Sequence, residues 1–280
     1  MMFNDSSILN IVEKKAIENK ARVAIGINFL STEILDSLKK AQDRGYANIV
    51  IVGCKKDIEN LDSESNIEIV DTDNPEKSIC ELLASNDVDA AVRGNIKASK
   101  VLDYLKTLMD AEKLYRIALL QTNMGRPFFF APVGIDEGND LASKIEHVKK
   151  SIEHIRRFDI DPEVGILSGG RSGDIGRNNK VDRTLADAEF ITRYLLGNGI
   201  NATNHNILIE NAVKESDFVY APDGITGNLI FRTLVYLCGG EGIGAPVLTD
   251  EYVFVDTSRA RKDFTKAIMI ASALTSIKTK

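Results

Sequence analysis

Four short stretches of the sequence place arginine, hydroxyl or amide groups directly after apolar runs. Arg93-Gly94-Asn95 follows DAAV, and Ser168-Gly169-Gly170-Arg171-Ser172 follows VGIL. Asp223-Gly224-Ile225-Thr226-Gly227-Asn228 follows FVYAP, and Ser258-Arg259 follows VFVDT. A brief apolar run giving way to glycine and polar residues is the pattern of a strand entering a turn. In open parallel sheets, ligands bind beyond the carboxyl ends of strands. Arginine grips phosphate or carboxylate with two parallel hydrogen bonds, and glycines let backbone N–H groups approach an anion. Taken singly, each stretch is more simply a turn with a helix cap. Together they point to an anionic, phosphate-bearing ligand.

Two of these turns are expected to open helices. Thr226, Gly227 and Asn228 precede LIFRTLVYL, which sets them at a helix N-terminus, where free N–H groups and the helix dipole favour an anion. Ser258-Arg259 precedes RKDFTKAIMIASAL, also expected to be helical from its start. Other polar residues carry less chemistry. His147 and His154 are seven positions apart on one expected helix, about 10 Å along its axis, too far to share a metal ion. Both fall off that helix's apolar stripe and are expected to face solvent, and no metal site is expected. His205, in the polar turn TNHN, is expected to be structural. No phosphate-binding Walker loop, dinucleotide fingerprint or nucleophile elbow is present, and GGRSGDIG has the wrong spacing for the first two.

The elements that must position these turns alternate along the chain. RVAIGIN, NIVIVG, NIEIV, DAAV, IALLQT, FFFAPVG, VGIL, HNILI, FVYAP and VFVDT read as strands. Helical patterns such as STEILDSLKKAQDRG and NPEKSICELLAS lie between them, the second with Asn74 as N-cap and Pro75 at the first helical position. From Ser143 to Phe158, Ile145, Val148, Ile152 and Ile155 recur at helical spacing and predict one buried stripe. Such alternation predicts an α/β fold with largely parallel sheets. The 280 residues suit about two domains. Pro132-Val133-Gly134 and the glycine cluster from Gly239 to Gly244 are the expected crossings, giving a first domain of residues 1–134 plus 246–280 and a second of 135–245.

Composition bounds the function. A formal charge of −6 argues against broad nucleic-acid binding, and no apolar run approaches the ~20 residues that span a bilayer. The start MMFNDSS lacks the features of a secretory signal. Cys54, Cys80 and Cys238 form no CxxC pair, which fits a reducing compartment, and each is expected to be buried. The cytoplasm is the expected location.

The C-terminal third resembles a known family. DFVYAPDGITGNLIFRTLVYLCGGEGIGAPVL followed by VFVDTSRARKDFTKAIMIASAL is similar to the end of phosphate acetyl/butyryltransferases, with their P-D-x-x-x-G-N turn and Ser-Arg motif. DGITGN also looks like the turn of the fatty-acid and phospholipid synthesis phosphate acyltransferases, and ILSGGRSGDIGRNNKVD stands where these proteins carry M-L-S-x-S-x-G. PVGIDEG, ILSGGRSGDIGRN and APDGITGN, over the whole length, identify the chain as a member of the methanogenesis marker protein 4 (MtxX) family of methyltransferase-named subunits.

The resemblance implies a methanogenic archaeon and a two-domain isocitrate/isopropylmalate dehydrogenase-like fold. It also implies a substrate cleft between the domains and a homodimer. Ser258 and Arg259 would bind the phosphate or acyl phosphate, and the Asp223–Asn228 turn would line the cleft. The family's general-base aspartate, seven positions after the serine, is here Thr265, which leaves Asp263 or Asp223 as the carboxylate expected to act as base in acyl transfer. The acetyltransferases' Thr-Ala-Asp-x-Leu-Arg segment is replaced by KASKVLDYL, without its arginine. Three functions stay open at this point: acyl-type group transfer on a phosphorylated or CoA-like anion, methyl transfer alongside partner subunits, and ligand binding without catalysis.

Overall fold

A computed structural model describes residues 7–56 and 67–277. The chain divides into two compact units, one formed by the residues up to Leu114 together with those from Gly244 onward, the other by Tyr115–Ile243. Pro132-Val133-Gly134 lies inside the second unit, immediately after a strand that pairs with the rest of that unit's sheet.

The first unit opens with α1 (Ile8–Asn19), β1 (Ala21–Gly26), α2 (Thr32–Asp43) and β2 (Ala47–Gly53). It continues through β3 (Glu68–Asp71), α3 (Pro75–Ala84), β4 (Ala90–Val92) and α4 (Ala98–Leu108). Residues 21–26 and 47–53 are buried at nearly every position, so these strands are covered on both faces, which is why they read as unbroken apolar runs. Helix α3 begins as its sequence requires: Asn74 Oδ1 accepts from Lys77 N, with Pro75 in the first turn.

The second unit begins with an antiparallel hairpin, β5 (Ala118–Gln121) and β6 (Pro127–Ala131), whose Phe128, Phe129 and Phe130 are buried. Then come α5 (Leu141–Arg156), β7 (Val164–Leu167), a 3-10 turn at Ser172–Asp174, α6 (Asn179–Gly197) and β8 (Ala202–Asn206). The unit closes with α7 (Ile209–Glu215), β9 (Phe218–Tyr220), α8 (Gly224–Arg232), a π-helical turn at Thr233–Leu237 and β10 (Glu241–Pro246), whose end enters the first unit. Strands β6, β9, β7 and β8 are parallel and adjacent in that order, so the loops after them emerge at one edge.

Back in the first unit, β11 (Val253–Asp256) and α9 (Thr265–Ala273) complete the chain's main elements. The strand order is β3-β2-β1-β4-β11, all parallel. From β1 the next two strands step one way, while β4 is laid on the other side of β1. The chain therefore switches direction between β1 and β4, the place where the loops beyond the strands separate and admit ligands. Helix α9 is buried along nearly its whole length, packed against α1, α2, β1 and β4.

Five sequence expectations need correction. The helix after Ser258-Arg259 starts at Thr265, not at Arg261. HNILI is not a strand: β8 ends at Asn206, which has φ +54, and α7 begins at Ile209. His147 and His154 are buried, not solvent-facing. Helix α5 buries a band that pairs Lys144, His147, Ser151 and His154 with the aliphatic stripe, while Ile145 is only half-buried. Of the cysteines, Cys80 is buried, Cys54 half-buried and Cys238 exposed.

Candidate functional site

The first unit's turns are tied together by buried polar bonds. Arg93 and Asp256, with side chains 5% and 11% exposed, form an ion pair across the ends of β4 and β11. Arg93 also donates from Nη1 to the Ile96 carbonyl at 2.9 Å. Thr257 N donates to the same Asp256 carboxylate, and Thr257 Oγ1 donates to the Gly94 carbonyl, both at 2.9 Å. Gly94 has φ +64, and a Cβ there would stand 2.0 Å from the Gly26 carbonyl oxygen, so only glycine fits. Asn95 then spans the switch point. Its Oδ1 accepts from Asn28 N at 2.7 Å and its Nδ2 donates to the Phe29 carbonyl. Arg93 and Asn95 are thus occupied in holding loops.

What this frame leaves outside is Ser258-Arg259. Ser258 is half-buried, its Oγ accepting from Ala260 N at 3.3 Å and its carbonyl from Arg261 N at 3.1 Å. Arg259 is exposed, and its guanidinium makes no hydrogen bond or ion pair with the described residues. The following segment does not continue as helix. Asp263 Oδ1 accepts from Thr265 N at 2.9 Å, and Lys40 Nζ stands 3.7 Å from its other oxygen. Partial burial pushes the Asp263 carboxyl upward, but the hydrogen bonds from Thr265 and the charges of Lys40 and Arg261 outweigh it. They hold the group below the usual carboxylate range. Thr265 itself is 2% exposed and donates from Oγ1 to the Ser37 carbonyl at 3.0 Å, while Ser37 Oγ accepts from Phe264 N at 3.1 Å.

The second unit's turns are more self-contained. Ser168 is buried and donates from Oγ to the Gly170 carbonyl at 2.9 Å, and Gly169 N donates to Thr184 Oγ1 at 2.8 Å. A Cβ on Gly170 would meet Val181 at 2.5 Å. Arg171 and Ser172 are exposed, as is Arg177, whose guanidinium pairs with Asp174. The Asp174 carboxyl is held low by the backbone N–H of Arg171 first and by Arg177 next.

At the start of α8, Asp223 is the N-cap, its Oδ1 accepting from Thr226 N at 2.8 Å. Gly224 N donates to the Glu137 carbonyl at 3.0 Å, and Gly227 N to the Asp223 carbonyl at 2.9 Å. Asn228 Nδ2 reaches back to the Val133 carbonyl at 2.9 Å. Cβ atoms on Gly224 and Gly227 would lie 1.9 and 2.0 Å from the carbonyl oxygens of Gly134 and Pro132. Most of the donors expected to face an anion are therefore bonded within the protein, and a carboxylate already sits at the helix's positive end.

Several supporting residues escaped the sequence reading. Glu137, 4% exposed, accepts from Val133 N and Gly134 N at 3.0 and 2.9 Å and pairs with Arg116 at 3.0 Å. Lys144 and Asp187 form a buried ion pair at 2.8 Å between α5 and α6. His147 donates from Nε2 to the Arg116 carbonyl at 3.0 Å and packs edge-on to Tyr220. Only the PVGIDEG run hinted at Glu137, as an acid among turn residues. Among the described residues, no group of three or more His, Cys, Asp or Glu could hold a metal ion, and no helix is long and apolar enough to cross a membrane.

Comparisons with known proteins bear on the family and the fold. A protein of Methanosarcina barkeri named "Putative methyltransferase mtx subunit X" is 58% identical over 260 residues, covering 93% of this chain and 95% of the relative. A phosphate butyryltransferase of Clostridium acetobutylicum is 21% identical over 295 residues, covering 95% of this chain and 97% of its own. The solved phosphotransacetylase of Streptococcus pyogenes matches with a TM-score of 0.72 at 16% identity, over 98% of this chain and 99% of that one, a likeness of fold. No protein-family model matches the chain. Identity above half over nearly the full length of both sequences places the chain in the mtx subunit X family, related to the phosphate acetyl- and butyryltransferases.

Proposed function

We propose that the chain is a group-transfer protein that binds a phosphorylated or coenzyme-like anion, with Ser258 and Arg259 as its principal contacts. The observation that supports this most is Arg259: an exposed guanidinium with no protein partner among the described residues, on the loop that follows β11. The buried Arg93–Asp256 pair and the Thr257 bond to Gly94 fix where that loop starts. A planar guanidinium so placed suits the paired oxygens of a phosphate and would stabilise charge developing there during transfer. Arg171 and Ser172 form a second exposed anion-contacting set in the other unit. Asp223, Thr226, Gly227 and Asn228 shape their turn, and Ser168, Gly169 and Gly170 shape theirs.

A second reading has its own support. The position of the family's base is a buried threonine, and the nearby Asp263 is committed to Thr265 N and Lys40, which hold its carboxyl below the usual range. The close relatives are named as methyltransferase subunits. In this reading the chain holds the ligand within a methyltransferase assembly and another component supplies proton transfer.

Calorimetric titration with inorganic phosphate, acetyl phosphate and coenzyme A tests the binding. Wild-type protein should bind at least one of them, and Arg259→Ala should weaken it at least tenfold. Equal affinity in the variant sinks the assignment of Arg259. Acyl phosphate formation from an acyl-CoA and phosphate then separates the readings: turnover by the isolated chain supports catalysis, and binding without turnover supports the assembly role.

A further inference from the structure

The loop from Ile27 to Ser31 joins β1 to α2 at the switch point of the first unit's sheet. Its flanks are buried, Ile27 and Leu30 each 3% exposed, while the tip, Asn28-Phe29, stands in solvent. The Phe29 ring is 69% exposed, the most open aromatic side chain among the described residues. Single exposed apolar side chains are ordinary on a surface. What sets this one apart is how firmly its backbone is held. Asn95 spends both ends of its amide on the tip, accepting from Asn28 N at 2.7 Å and donating to the Phe29 carbonyl. Ile27 N donates to the Val52 carbonyl at 2.9 Å. A Cβ on Gly53, at the end of β2, would stand 2.2 Å from the Ile27 carbonyl oxygen, so the loop sits as close to β2 as a backbone can. Beyond the tip, Ser31 caps α2 by accepting from Ile34 N. The ring is thus displayed on a backbone already fixed, and a ligand that uses it has little ordering left to do.

The loop that carries Ser258-Arg259 comes to the same edge. Lys262 Nζ pairs at 3.0 Å with Glu33 in the first turn of α2, and Phe264 N donates to Ser37 Oγ one turn further on. Phe29 is four positions before Glu33 and Arg259 three before Lys262, so ring and guanidinium flank one ion pair. We propose that Phe29 is a stacking platform for the flat heteroaromatic base of a nucleotide whose phosphate is held by Arg259. This rests on the phosphate-binding reading of Arg259 and names the class of ligand. The platform is open, with the polar residues Asn28 and Ser31 on either side of its flanks and Glu33 beyond. An alkyl chain laid there would keep one side in water, whereas apolar groups are held by enclosure. A base loses nothing by the openness: one face stacks on the phenyl ring while its polar edges stay hydrated. Such stacking contributes about five- to a hundredfold in affinity per base, and it reads the face common to all bases.

The chain contains no tryptophan, so Phe29→Trp places a single fluorescent reporter at the tip. Adenosine, which has no phosphate, should quench its emission whether or not Arg259→Ala is also present, which reads the platform apart from the guanidinium. Calorimetry on the full chain then compares ADP with inorganic pyrophosphate. Wild-type protein should bind ADP about tenfold more tightly, and Phe29→Ala should remove that preference while leaving pyrophosphate affinity within about twofold. Arg259→Ala should weaken both. The unfolding midpoint of each Phe29 variant should match wild type, since the ring lies outside the packing. Pyrophosphate bound with no preference for ADP overturns the platform and leaves the Arg259 reading standing. Neither diphosphate bound, even with adenosine quenching, sinks the Arg259 reading and the nucleotide with it. An ADP preference that survives Phe29→Ala, or quenching by butyrate but not by adenosine, also overturns the proposal, the latter by giving the ring to an alkyl tail.

Discussion

The turn after β9 and the turn after β11 look alike in sequence: each carries an aspartate, hydroxyl residues and a polar residue ahead of a helix. Their structures use those groups differently. After β9, Asp223 caps its own helix, Asn228 holds the Val133 carbonyl, and two glycines let the backbone press on Gly134 and Pro132. After β11, Asp256 and Thr257 do the anchoring, and Ser258-Arg259 projects beyond the anchor. A polar group can serve a ligand only with the hydrogen-bonding capacity its own fold has not used. By that standard the first turn is a joint, while the second keeps a guanidinium to spare.

Four measurements bear on this contrast, in descending order of effect. Arg93→Ala should cost about 3–5 kcal/mol of stability, since it leaves the buried Asp256 carboxylate without its partner. Denaturant unfolding reads the loss, and a change below 1 kcal/mol would show that the anchor is dispensable. Gly224→Ala should cost about 3 kcal/mol by overpacking, because its Cβ would overlap the Gly134 carbonyl.

The third compares the two units themselves. All three histidines, His147, His154 and His205, belong to the second unit. Burial, with Arg157 adding to it, pulls His154 down to about 3, and burial lowers His147 as well. The folded value lies below the unfolded one, so the unfolded chain takes up the proton first. The stability linked to His154 is complete above about pH 6.5 and falls by about 1.4 kcal/mol per pH unit as the pH drops toward 3. Hydrogen exchange at pH 5, corrected for the intrinsic rate, should therefore show loss of protection in α5 ahead of the first unit's helices. Equal loss in both units would break the comparison. Smallest of all, Arg259→Ala should alter stability by less than about 0.5 kcal/mol, as expected of an exposed group outside the packing. A larger loss would move Arg259 into the frame and out of the proposed binding surface.

Much of the architecture was legible because burial on both faces of a parallel strand leaves an unbroken apolar run, as in ANIVIVG. The strand ATNHN was not, since an edge strand can pair through its backbone while its side chains stay polar. His147 and His154 misled for the opposite reason: a polar residue on a helix reads as solvent-facing unless its burial partners, distant in sequence, are known. The helix start at Thr265 had a local signal in Asp263, which accepts from Thr265 N, but the apolar pattern of RKDFTKAIM ran through it. The turns themselves were found from their residue types. Which of their groups remained available was not, because the answer lies in pairs such as Arg93 with Asp256, 163 positions apart.

Thr265 locks the start of α9 onto α2. Its hydroxyl is a donor to the Ser37 carbonyl, and the Ser37 hydroxyl is in turn engaged by the backbone of Phe264. An ionised aspartate at this position would turn an acceptor toward an acceptor inside a nearly closed pocket, where neither oxygen could shed its charge into water. An aspartate at position 265 would therefore require α2 and the start of α9 to be rebuilt along with the side chain.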